Sequence, residues 1–369
     1  MIYLDNAATS FLKPPCVSRA VYKSMLAASS PGRGGYPSAM RAAEIVYACR
    51  EAAAALFHME DPTRVVITGN ATHALNIAIH SLVKPGDPVV ISGFEHNAVT
   101  RPLRTAGAKI RVAGRRLFAP EDTLQDFRTL LPGAKYAVCT HVSNVFGYVL
   151  PIAEIATLCR EHGVRLIVDA SQSAGVLDIN AQELGAAFIA MPGHKSLFGP
   201  QGTGLLLCGE KGLPLMQGGA GFDSGNPFMP EDLPERLEAG TMNVPGIAGL
   251  LEGIRYVGSR GTQSIAELEN KMLQTLIREL SGLPGLRLFY GAEGEQSGIL
   301  SFCVEHMDSE TVSGMLSERG FAVRGGLHCA PLAHESAGTR EQGTVRVSVS
   351  PFLDDNALSA FIRAMEKGF

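Results

Sequence analysis

The sequence has few of the features that mark membrane, secreted or nucleic-acid-binding proteins. No apolar run approaches the length that spans a bilayer, and the first residues lack the charged start and long apolar core of a signal peptide. There is no long basic run, and a net charge of -4 gives no general attraction to nucleic acid or to an anionic membrane. The seven cysteines lack the spacing of a small disulfide-bonded scaffold. We therefore expect reduced thiols and a soluble, cytoplasmic protein.

Alternating strand and helix signals predict the larger part of the fold. Short apolar strands are expected near residues 65, 89, 109, 136, 165, 186 and 204. Most of them are separated by helical or turn segments, and two helices are expected earlier, over residues 17–28 and 38–59. This alternation is typical of the α/β class, with a mostly parallel central sheet flanked by helices.

The remainder of the chain predicts a loop followed by a smaller α+β region. Residues 218–246 are rich in glycine and proline and have no regular period, which is typical of an ordered loop with a functional or interfacial role. A helical stretch over residues 247–280 follows. Beyond it the sequence predicts strands near residues 299, 322 and 345 and a last helix from residue 356.

The length of the chain favours two domains. With 369 residues and 46% hydrophobic composition it can bury more than one core. We expect residues 15–250 to form a large domain, and residues 1–14 together with 251–369 to form a small one. No internal repeat or low-complexity tract is present.

Residues 165–195 carry the most informative chemistry. An apolar run at residues 165–168 predicts a buried strand, and Asp169 stands at its carboxyl end, where open parallel sheets bind ligands. Lys195 lies between two predicted apolar strands, a position that would lower its pKa by burial. Pyridoxal 5′-phosphate requires both a lysine for its aldehyde and a carboxylate for its protonated ring nitrogen. Alone, Asp169 could simply cap the next helix. The pair predicts a site for this cofactor, and Gln172 could donate to its phenolic oxygen.

Two further segments fit such a site. A β-branched strand at residues 65–68 leads into a turn and a helix, whose first N–H groups can bind a phosphate with help from the Thr72 hydroxyl. His96 follows the strand near residue 89. An imidazole can stack on a pyridine ring and relay protons, although a histidine at a strand end is usually a hydrogen-bonded loop residue.

The segment at residues 324–331 contains the cysteine that matters most. Its glycines permit unusual backbone angles, and Arg324 and His328 could stabilise a thiolate on Cys329. A buried cysteine commonly acts as a small apolar filler, which we accept for the other six. A metal site formed by His328, Cys329 and His334 would lack a second ligand cluster, so we predict no bound metal.

Arg346 is the last candidate site residue. It alternates with valines along the predicted strand near residue 345 and therefore belongs to the polar face of that strand. Its planar guanidinium suits the α-carboxylate of an amino acid. The alternative is a surface arginine on a half-exposed strand.

Taken together, these segments resemble the cysteine desulfurase and selenocysteine lyase family, which has the class-V aminotransferase fold. The resemblance covers essentially the whole chain, and its matching segments are residues 3–9, 69–76, 95–97, 141–147, 168–173, 193–195, 238–241 and 324–331. It implies fold type I of the pyridoxal-phosphate-dependent transferases, with a smaller C-terminal domain that carries the cysteine loop.

The resemblance also implies the roles of the site residues. Lys195 would hold the cofactor and move the substrate α-proton, and Cys329 would attack the substrate sulfur. Asp169 would pair with the ring nitrogen. The other residues implied in cofactor binding are Ala71, Thr72, His96, Asn144, Gln172, His194 and, from the partner subunit of a homodimer, Thr241. Those implied in substrate binding are Asn144, Arg324, His328 and Arg346.

Two positions depart from the family pattern. Pro192 stands where a serine or threonine is usual, so one hydroxyl donor to the phosphate is missing. Leu327 stands where a second histidine is frequent, which puts in doubt a proton-transfer role carried over to that position.

The expected function is therefore a homodimeric cysteine desulfurase that converts L-cysteine to L-alanine and passes a persulfide sulfur to an acceptor protein. Selenocysteine lyase activity on L-selenocysteine is the nearest alternative. A class-V aminotransferase or epimerase in which Cys329 is incidental is a second, and a non-catalytic sulfur-relay protein is a third. A nicotinamide dehydrogenase would want a G-x-G-x-x-G turn after the first strand, which residues 69–72 do not form.

Overall fold

The computed structural model describes residues 1–32, 34–221 and 224–368. The strands are β1 (Ile2–Tyr3), β2 (Val65–Thr68), β3 (Pro88–Ser92), β4 (Lys109–Ala113), β5 (Tyr136–Thr140), β6 (Arg165–Asp169), β7 (Phe188–Pro192), β8 (Gly204–Cys208), β9 (Leu286–Phe289), β10 (Ile299–Val304), β11 (Phe321–Ala322) and β12 (Val345–Ser348). The α-helices are α1 (Pro15–Ala27), α2 (Pro37–Leu56), α3 (Ala71–Leu82), α4 (Asn97–Thr105), α5 (Pro120–Leu130), α6 (Ile152–Glu161), α7 (Ala181–Leu184), α8 (Val244–Arg260), α9 (Thr262–Leu280), α10 (Ser309–Glu318), α11 (Pro331–Ala337) and α12 (Asp355–Glu366).

A seven-stranded sheet dominates the described chain, in the order β2-β8-β7-β6-β5-β3-β4. The pairs among β3, β4, β5, β6 and β7 are parallel, whereas β8 is antiparallel to both of its neighbours. Strands β5, β7 and β8 are buried at every position, because helices cover both faces of the sheet. The predicted mostly parallel α/β fold is confirmed.

The carboxyl ends of the parallel strands meet at one edge of this sheet. The segments that follow β3, β5, β6 and β7 therefore start close to one another, and α3 begins at the same edge after β2. Asn70 caps α3, since its side-chain oxygen accepts from the His73 N–H at 2.8 Å. This edge is where an open α/β sheet places its ligand site.

Two smaller sheets belong to the second region of the chain. Strands β12, β10 and β9 form an antiparallel sheet, and β1 pairs in parallel with β11. The first residues thus return to the C-terminal region, as expected, and the backbone N–H of Ser348 donates to the Leu4 carbonyl at 2.7 Å. The division into two domains stays a prediction, and its boundary at residue 250 falls inside the continuous helix α8.

The helical stretch expected over residues 247–280 is two helices. Gly261, with φ 81°, ends α8 and precedes α9, because a left-handed backbone conformation cannot continue a helix. Strand β9 was not predicted. The glycine- and proline-rich segment at 218–246 contains a 3₁₀ turn (Glu235–Leu237) and the first residues of α8; residues 222 and 223 of this segment lie outside the described residues.

Helix α8 packs directly on the segment that carries Lys195. A Cβ added at Gly253 of α8 would lie 2.1 Å from the carbonyl oxygen of Leu197. Only glycine permits this approach, so α8 fixes the backbone two residues beyond the lysine. Within the described part of the chain, no helix is long and apolar enough to cross a membrane.

Candidate active site

The expected site residues meet in a cavity at the carboxyl edge of the large sheet. The cavity has a volume of about 210 Å³. Of the residues predicted to bind cofactor or substrate, those that line it are Ala71, Thr72, His96, Asn144, Asp169, Gln172, His194, Lys195, Arg324, His328, Cys329 and Arg346. Thr241 lies elsewhere. The small region contributes Arg324, His328, Cys329 and Arg346, so the cavity lies between the two parts of the chain.

Asp169 and Lys195 both line the cavity. Asp169 is the last residue of β6, is buried, and accepts from the Ser171 N–H at 2.9 Å. Burial lowers the pKa of Lys195 to about 8, and the Asp169 carboxylate acts in the opposite direction. An amine with this pKa is partly neutral near neutral pH, as a nucleophilic or proton-transferring lysine must be. The contact of Asp169 with Ser171 holds a turn at residues 171–173 and not a helix, because the next helix after Asp169 in the described chain is α7.

Gln172 is fixed by the N-terminal segment. Its side-chain N–H donates to the Ala7 carbonyl at 3.0 Å, and the residue is buried. Its second amide hydrogen has no acceptor among the described residues. The side chain is therefore oriented by the chain itself and keeps one donor for a ligand.

The cavity also has donors suited to an anion. The N–H groups of Ala71 and Thr72 belong to the first turn of α3, where no partner exists within the helix. The Nδ1 atom of His194 is buried and has no hydrogen-bond partner in the described chain. Pro192 lines the cavity here and supplies no hydroxyl. These groups make an anion pocket at a helix N-terminus.

His96 is held as a neutral imidazole. Its Nδ1 atom accepts from the Ala98 N–H at 3.0 Å, which caps α4, so a neutral ring carries its proton on Nε2. Burial lowers the pKa of His96 to about 4, although Asp169 opposes this effect. A neutral, fixed ring is suited to stack on a flat aromatic ligand, and the loop interaction that was the alternative is also present.

Glu95, which belongs to a matching segment but for which the sequence predicted no role, is a fully buried acid next to His96 in the chain. Its Oε1 atom accepts from the Thr140 N–H at 2.7 Å, and Oε2 has no partner among the described residues. Burial raises the pKa of Glu95 to about 8, so it is mostly protonated at neutral pH. It links the carboxyl ends of β3 and β5. Its position directly before His96 was the available signal.

Cys329 is presented by a strained loop. All seven cysteines are described, and Cys329 is the exposed one; Cys16 is half-buried and the other five are buried. His328 has φ 50° and Cys329 has φ 58°, so the left-handed conformation expected at the glycines extends to these two residues. Asn144 donates to the His328 carbonyl at 2.8 Å and fixes the loop from the large region.

The ring of His328 is held in place by a hydrogen bond and by packing. Its ring is buried and Nε2 donates to the Thr344 carbonyl at 3.0 Å. It stacks on the buried ring of His334, with centroids 5.7 Å apart. Burial lowers the pKa of His328 well below its usual range. A cationic imidazole beside Cys329, which the sequence suggested, is therefore disfavoured at neutral pH.

Arg346 is fully buried, so the alternative of a surface arginine is wrong. The polar face of β12 faces the interior of the site. The Nη1 atom of Arg346 donates to the Asn144 carbonyl at 2.8 Å, and Nη2 donates to the Asp5 carboxylate at 2.6 Å. Arg324 lies beside it, because the backbones of the two residues pair. Asp5 was missed because it lies 341 residues away in the sequence.

Thr241 lies outside the cavity. It is exposed and lines a separate groove with a volume of about 720 Å³. The neighbouring Glu238 anchors this segment: it accepts from the Ile67 N–H at 2.6 Å and forms a buried ion pair with Arg50 at 2.5 Å. Several large apolar side chains of α1, of α2 and of the residue that caps α2 are exposed, among them Tyr22, Met25, Leu26, Tyr36, Met40 and Tyr47. Tyr47 lines the groove itself.

Comparison with known proteins agrees with this geometry. A family model described as Aminotransferase class-V matches residues 2–361. A protein named probable cysteine desulfurase from Methanothermobacter thermautotrophicus is 33% identical, over 94% of this chain and 90% of its own length. One of the same name from Xylella fastidiosa strain Temecula1 is 34% identical over 100% of this chain and 90% of its own length. The apo structure of the cysteine desulfurase from Thermococcus onnurineus NA1 superposes with a TM-score of 0.90 at 29% identity, covering 99% of this chain and 94% of that one.

Proposed function

The chain belongs to the class-V aminotransferase family, and we propose that it is a pyridoxal 5′-phosphate-dependent cysteine desulfurase. The reaction converts L-cysteine and the Cys329 thiol to L-alanine and a Cys329 persulfide. One observation carries the proposal: the exposed cysteine lines the same cavity as Lys195 and Asp169. The names of the full-length relatives support it.

The residues present fit the cofactor. Lys195 would hold its aldehyde, Asp169 would pair with its ring nitrogen, and Gln172 would donate to its phenolic oxygen. The partnerless Nδ1 of His194 and the first-turn N–H groups of α3 offer donors for its phosphate. His96 would stack on its ring. When bound, pyridoxal phosphate supplies an electron sink for a carbanion at the substrate α-carbon.

Lys195 is suited to move the α-proton. Its pKa of about 8, a consequence of burial, makes the free amine a competent base near neutral pH. The neutral His96 is a much weaker base than Lys195, because burial lowers the pKa of its imidazole to about 4. Lys195 therefore acts as the base, and His96 positions the ring.

The substrate carboxylate would bind between Arg346 and Arg324. Both arginines line the cavity, and Asn144 connects Arg346 to the cysteine loop through its bonds to Arg346 and His328. A substrate held there would share its cavity with Cys329. This arrangement favours a sulfur acceptor within the enzyme itself.

Cys329 distinguishes desulfuration from other chemistry of the fold. Its thiolate attacks the substrate sulfur, a sulfur–sulfur bond forms, and the bond between the substrate Cβ and its sulfur breaks. The electron pair and a proton remain with the carbon fragment, which leaves as L-alanine. An aminotransferase or an epimerase needs no thiol at this position, and these alternatives are not favoured by the relatives.

The decisive experiment determines where the sulfur of the substrate goes. The wild-type protein loaded with pyridoxal phosphate should release equal amounts of alanine and sulfide from L-cysteine in the presence of a reductant. Without reductant, mass spectrometry should find added sulfur on the peptide that contains Cys329. Cys329→Ser should keep the substrate-dependent absorbance change and lose sulfide release, because a hydroxyl cannot accept the sulfur. Cys16→Ser, a change at a half-buried cysteine, is the matched control and should retain activity.

A persulfide found only on another cysteine would refute the role of Cys329. Transamination or racemisation of alanine without release of sulfide from L-cysteine would instead indicate an aminotransferase or an epimerase. Selenide release from L-selenocysteine measured beside sulfide release would decide the preference for selenium or sulfur.

Assembly, acceptor and location belong to the same proposal. The exposed apolar side chains of α1 and α2, of which Tyr47 lines the Thr241 groove, suit an interface between two copies of the chain, in which each copy lends Thr241 to the other cofactor phosphate. A persulfide on an exposed cysteine suits transfer to a separate acceptor protein. Seven free cysteines suit the reducing cytoplasm.

A further inference from the structure

Arg346 is neutralised from within the chain. Its side chain is 2% exposed, and Asp5 lies with a carboxylate oxygen 2.6 Å from Nη2. A buried guanidinium without an anion would be strongly unfavourable. Asp5 thus supplies the negative charge that the site needs when no substrate is bound.

Asp5 is held firmly in this position. The segment around it is clamped to β12, since the Ser348 N–H donates to the Leu4 carbonyl and the Ala7 N–H donates to the Ser348 hydroxyl at 2.8 Å. Asp5 itself forms a parallel bridge to Ser348. The anion and the cation are therefore carried by adjacent, paired strands rather than by loose side chains.

The geometry of the guanidinium makes one nitrogen essential. A carboxylate can bind two parallel N–H groups of an arginine either through Nη1 and Nη2 or through Nε and Nη2. Both edges contain Nη2, which Asp5 occupies. Nη1 is held by the Asn144 backbone carbonyl, and Nε is buried without a partner among the described residues. A bidentate ligand must therefore share Nη2 with Asp5 or displace it.

We propose that Asp5 is an internal competitor for the substrate carboxylate and thereby sets the affinity of the site for its amino-acid substrate. The proposal rests on the assignment of Arg346 to the substrate carboxylate. Two carboxylates at one nitrogen repel each other, and Asp5, being part of the chain, is present at high effective concentration. Arg324 supplies the second positive charge at the cavity, which offsets the extra negative charge when the substrate enters.

The test separates the carboxylate from the rest of the ligand. L-Alanine and L-alaninamide differ only in that group, and their binding to the holoenzyme can be followed by the absorbance of the cofactor. Asp5→Asn keeps a side-chain oxygen for Nη2 and removes the charge. We expect it to bind L-alanine about tenfold more tightly than the wild type, with the affinity for L-alaninamide changed by less than about twofold.

Three further readouts distinguish competition from a structural role. The KM for L-cysteine should fall by a similar factor, with kcat within about twofold. The ligand-free variant should melt at a lower temperature, and L-alanine should raise its melting temperature more than it raises that of the wild type. Asp122→Asn is the matched control, because it removes the same charge from an exposed ion pair with Arg116 and should change none of these quantities.

Weaker or unchanged binding of L-alanine by the variant, or an equal change for both ligands, would overturn the proposal. Asp5→Ser provides a second variant with the same expectation. If neither variant folds, Asp5 is a counter-ion that cannot release Nη2, which also overturns it. Absence of wild-type sulfide release would instead contradict the desulfurase function, whereas the comparison of the two ligands would remain interpretable.

Discussion

The backbone N–H of Asn97 donates to the carbonyl oxygen of Cys329 at 2.8 Å. Asn97 directly follows His96, so this bond joins the Cys329 loop to the segment whose imidazole lines the same cavity. A second bond from Asn144 to the adjacent carbonyl of His328 joins the same loop to the turn after β5. The strained backbone at Cys329 is therefore held from two strands of the large sheet, which orients the thiol before substrate arrives.

Lys195→Ala should abolish turnover of L-cysteine while leaving the protein folded. The change removes the amine that we propose holds the cofactor and moves the α-proton, and we expect a loss of about 1000-fold or more in alanine formation. Lys211→Ala, in an exposed ion pair with Asp232, is the control and should keep full activity. Near wild-type turnover by Lys195→Ala would show that the lysine is assigned wrongly.

Cofactor capture by the apoenzyme should depend on pH through Lys195. Only the neutral amine reacts with an aldehyde, and burial lowers the pKa of Lys195 to about 8. The rate should rise with pH up to about 9 and then level off, whereas an ordinary lysine would continue to gain up to about 10.4. Asp169→Asn should move the midpoint to lower pH, because the carboxylate raises this pKa. Stopped-flow absorbance provides the measurement, and a rate still rising above pH 10 would contradict the prediction.

Subunit mixing tests whether two chains share each site. Thr241→Ala should weaken binding of the cofactor phosphate in the partner subunit. A heterodimer of Lys195→Ala and Thr241→Ala chains contains one site with both residues intact. At cofactor concentrations at which the Thr241→Ala parent is nearly inactive, the mixture should show more activity than either parent after verified subunit exchange. A fully active monomer, or no recovery despite exchange, would rule out the shared site.

Gly253→Ala should destabilise the protein and disturb the lysine segment. The added Cβ would lie 2.1 Å from the Leu197 carbonyl, which forces α8 and the segment after Lys195 apart. We expect a loss of about 1–3 kcal/mol in the free energy of unfolding and weaker cofactor binding. Gly258→Ala in the same helix meets no atom within 4 Å and should be neutral or stabilising by up to about 1 kcal/mol. Equal denaturation midpoints for the two variants would contradict this packing argument.

Glu269→Gln should stabilise the protein increasingly as pH rises. Burial raises the pKa of this α9 side chain to about 8, so the folded protein keeps a proton that the unfolded chain loses above about pH 4.3. The free energy of unfolding of the wild type should therefore fall between about pH 4.3 and 8. The Glu269→Gln variant should not show this fall, because its amide does not titrate. Between pH 5 and 8 the advantage of the variant should grow by on the order of 2–4 kcal/mol in urea denaturation. The exposed Glu267→Gln on the same helix should show no such trend.

The local signals predicted the strands and the residues at their ends. Asp169, His96 and Lys195 each follow an apolar run, and strands of a parallel sheet place such residues at one edge whatever the details of packing. The thiol loop was recognised from its own glycines and neighbours. The predicted strands are confirmed, because each depends on contiguous sequence, whereas the role of the thiol stays a prediction. The break at Gly261 was missed because an apolar helical period continues on both sides of it.

The environment of each side chain could not be predicted in the same way. Strand alternation placed Arg346 on a polar face, but only the packing of β12 against the N-terminal segment turns that face inward and pairs the arginine with Asp5. His328 looked like a cation beside the thiol, yet its burial against His334 and Thr344 makes it neutral.

The sequence by itself determined the α/β fold, the order of the strands along the chain, and the chemical groups that a pyridoxal-phosphate site with a reactive thiol requires. The tertiary structure decided which of these groups are charged, which are already hydrogen-bonded, and which are exposed. Charge and hydrogen bonding depend on contacts between residues that are hundreds of positions apart, as Asp5 and Arg346 are, and on the water that their packing excludes. Local periodicity carries no information about such contacts.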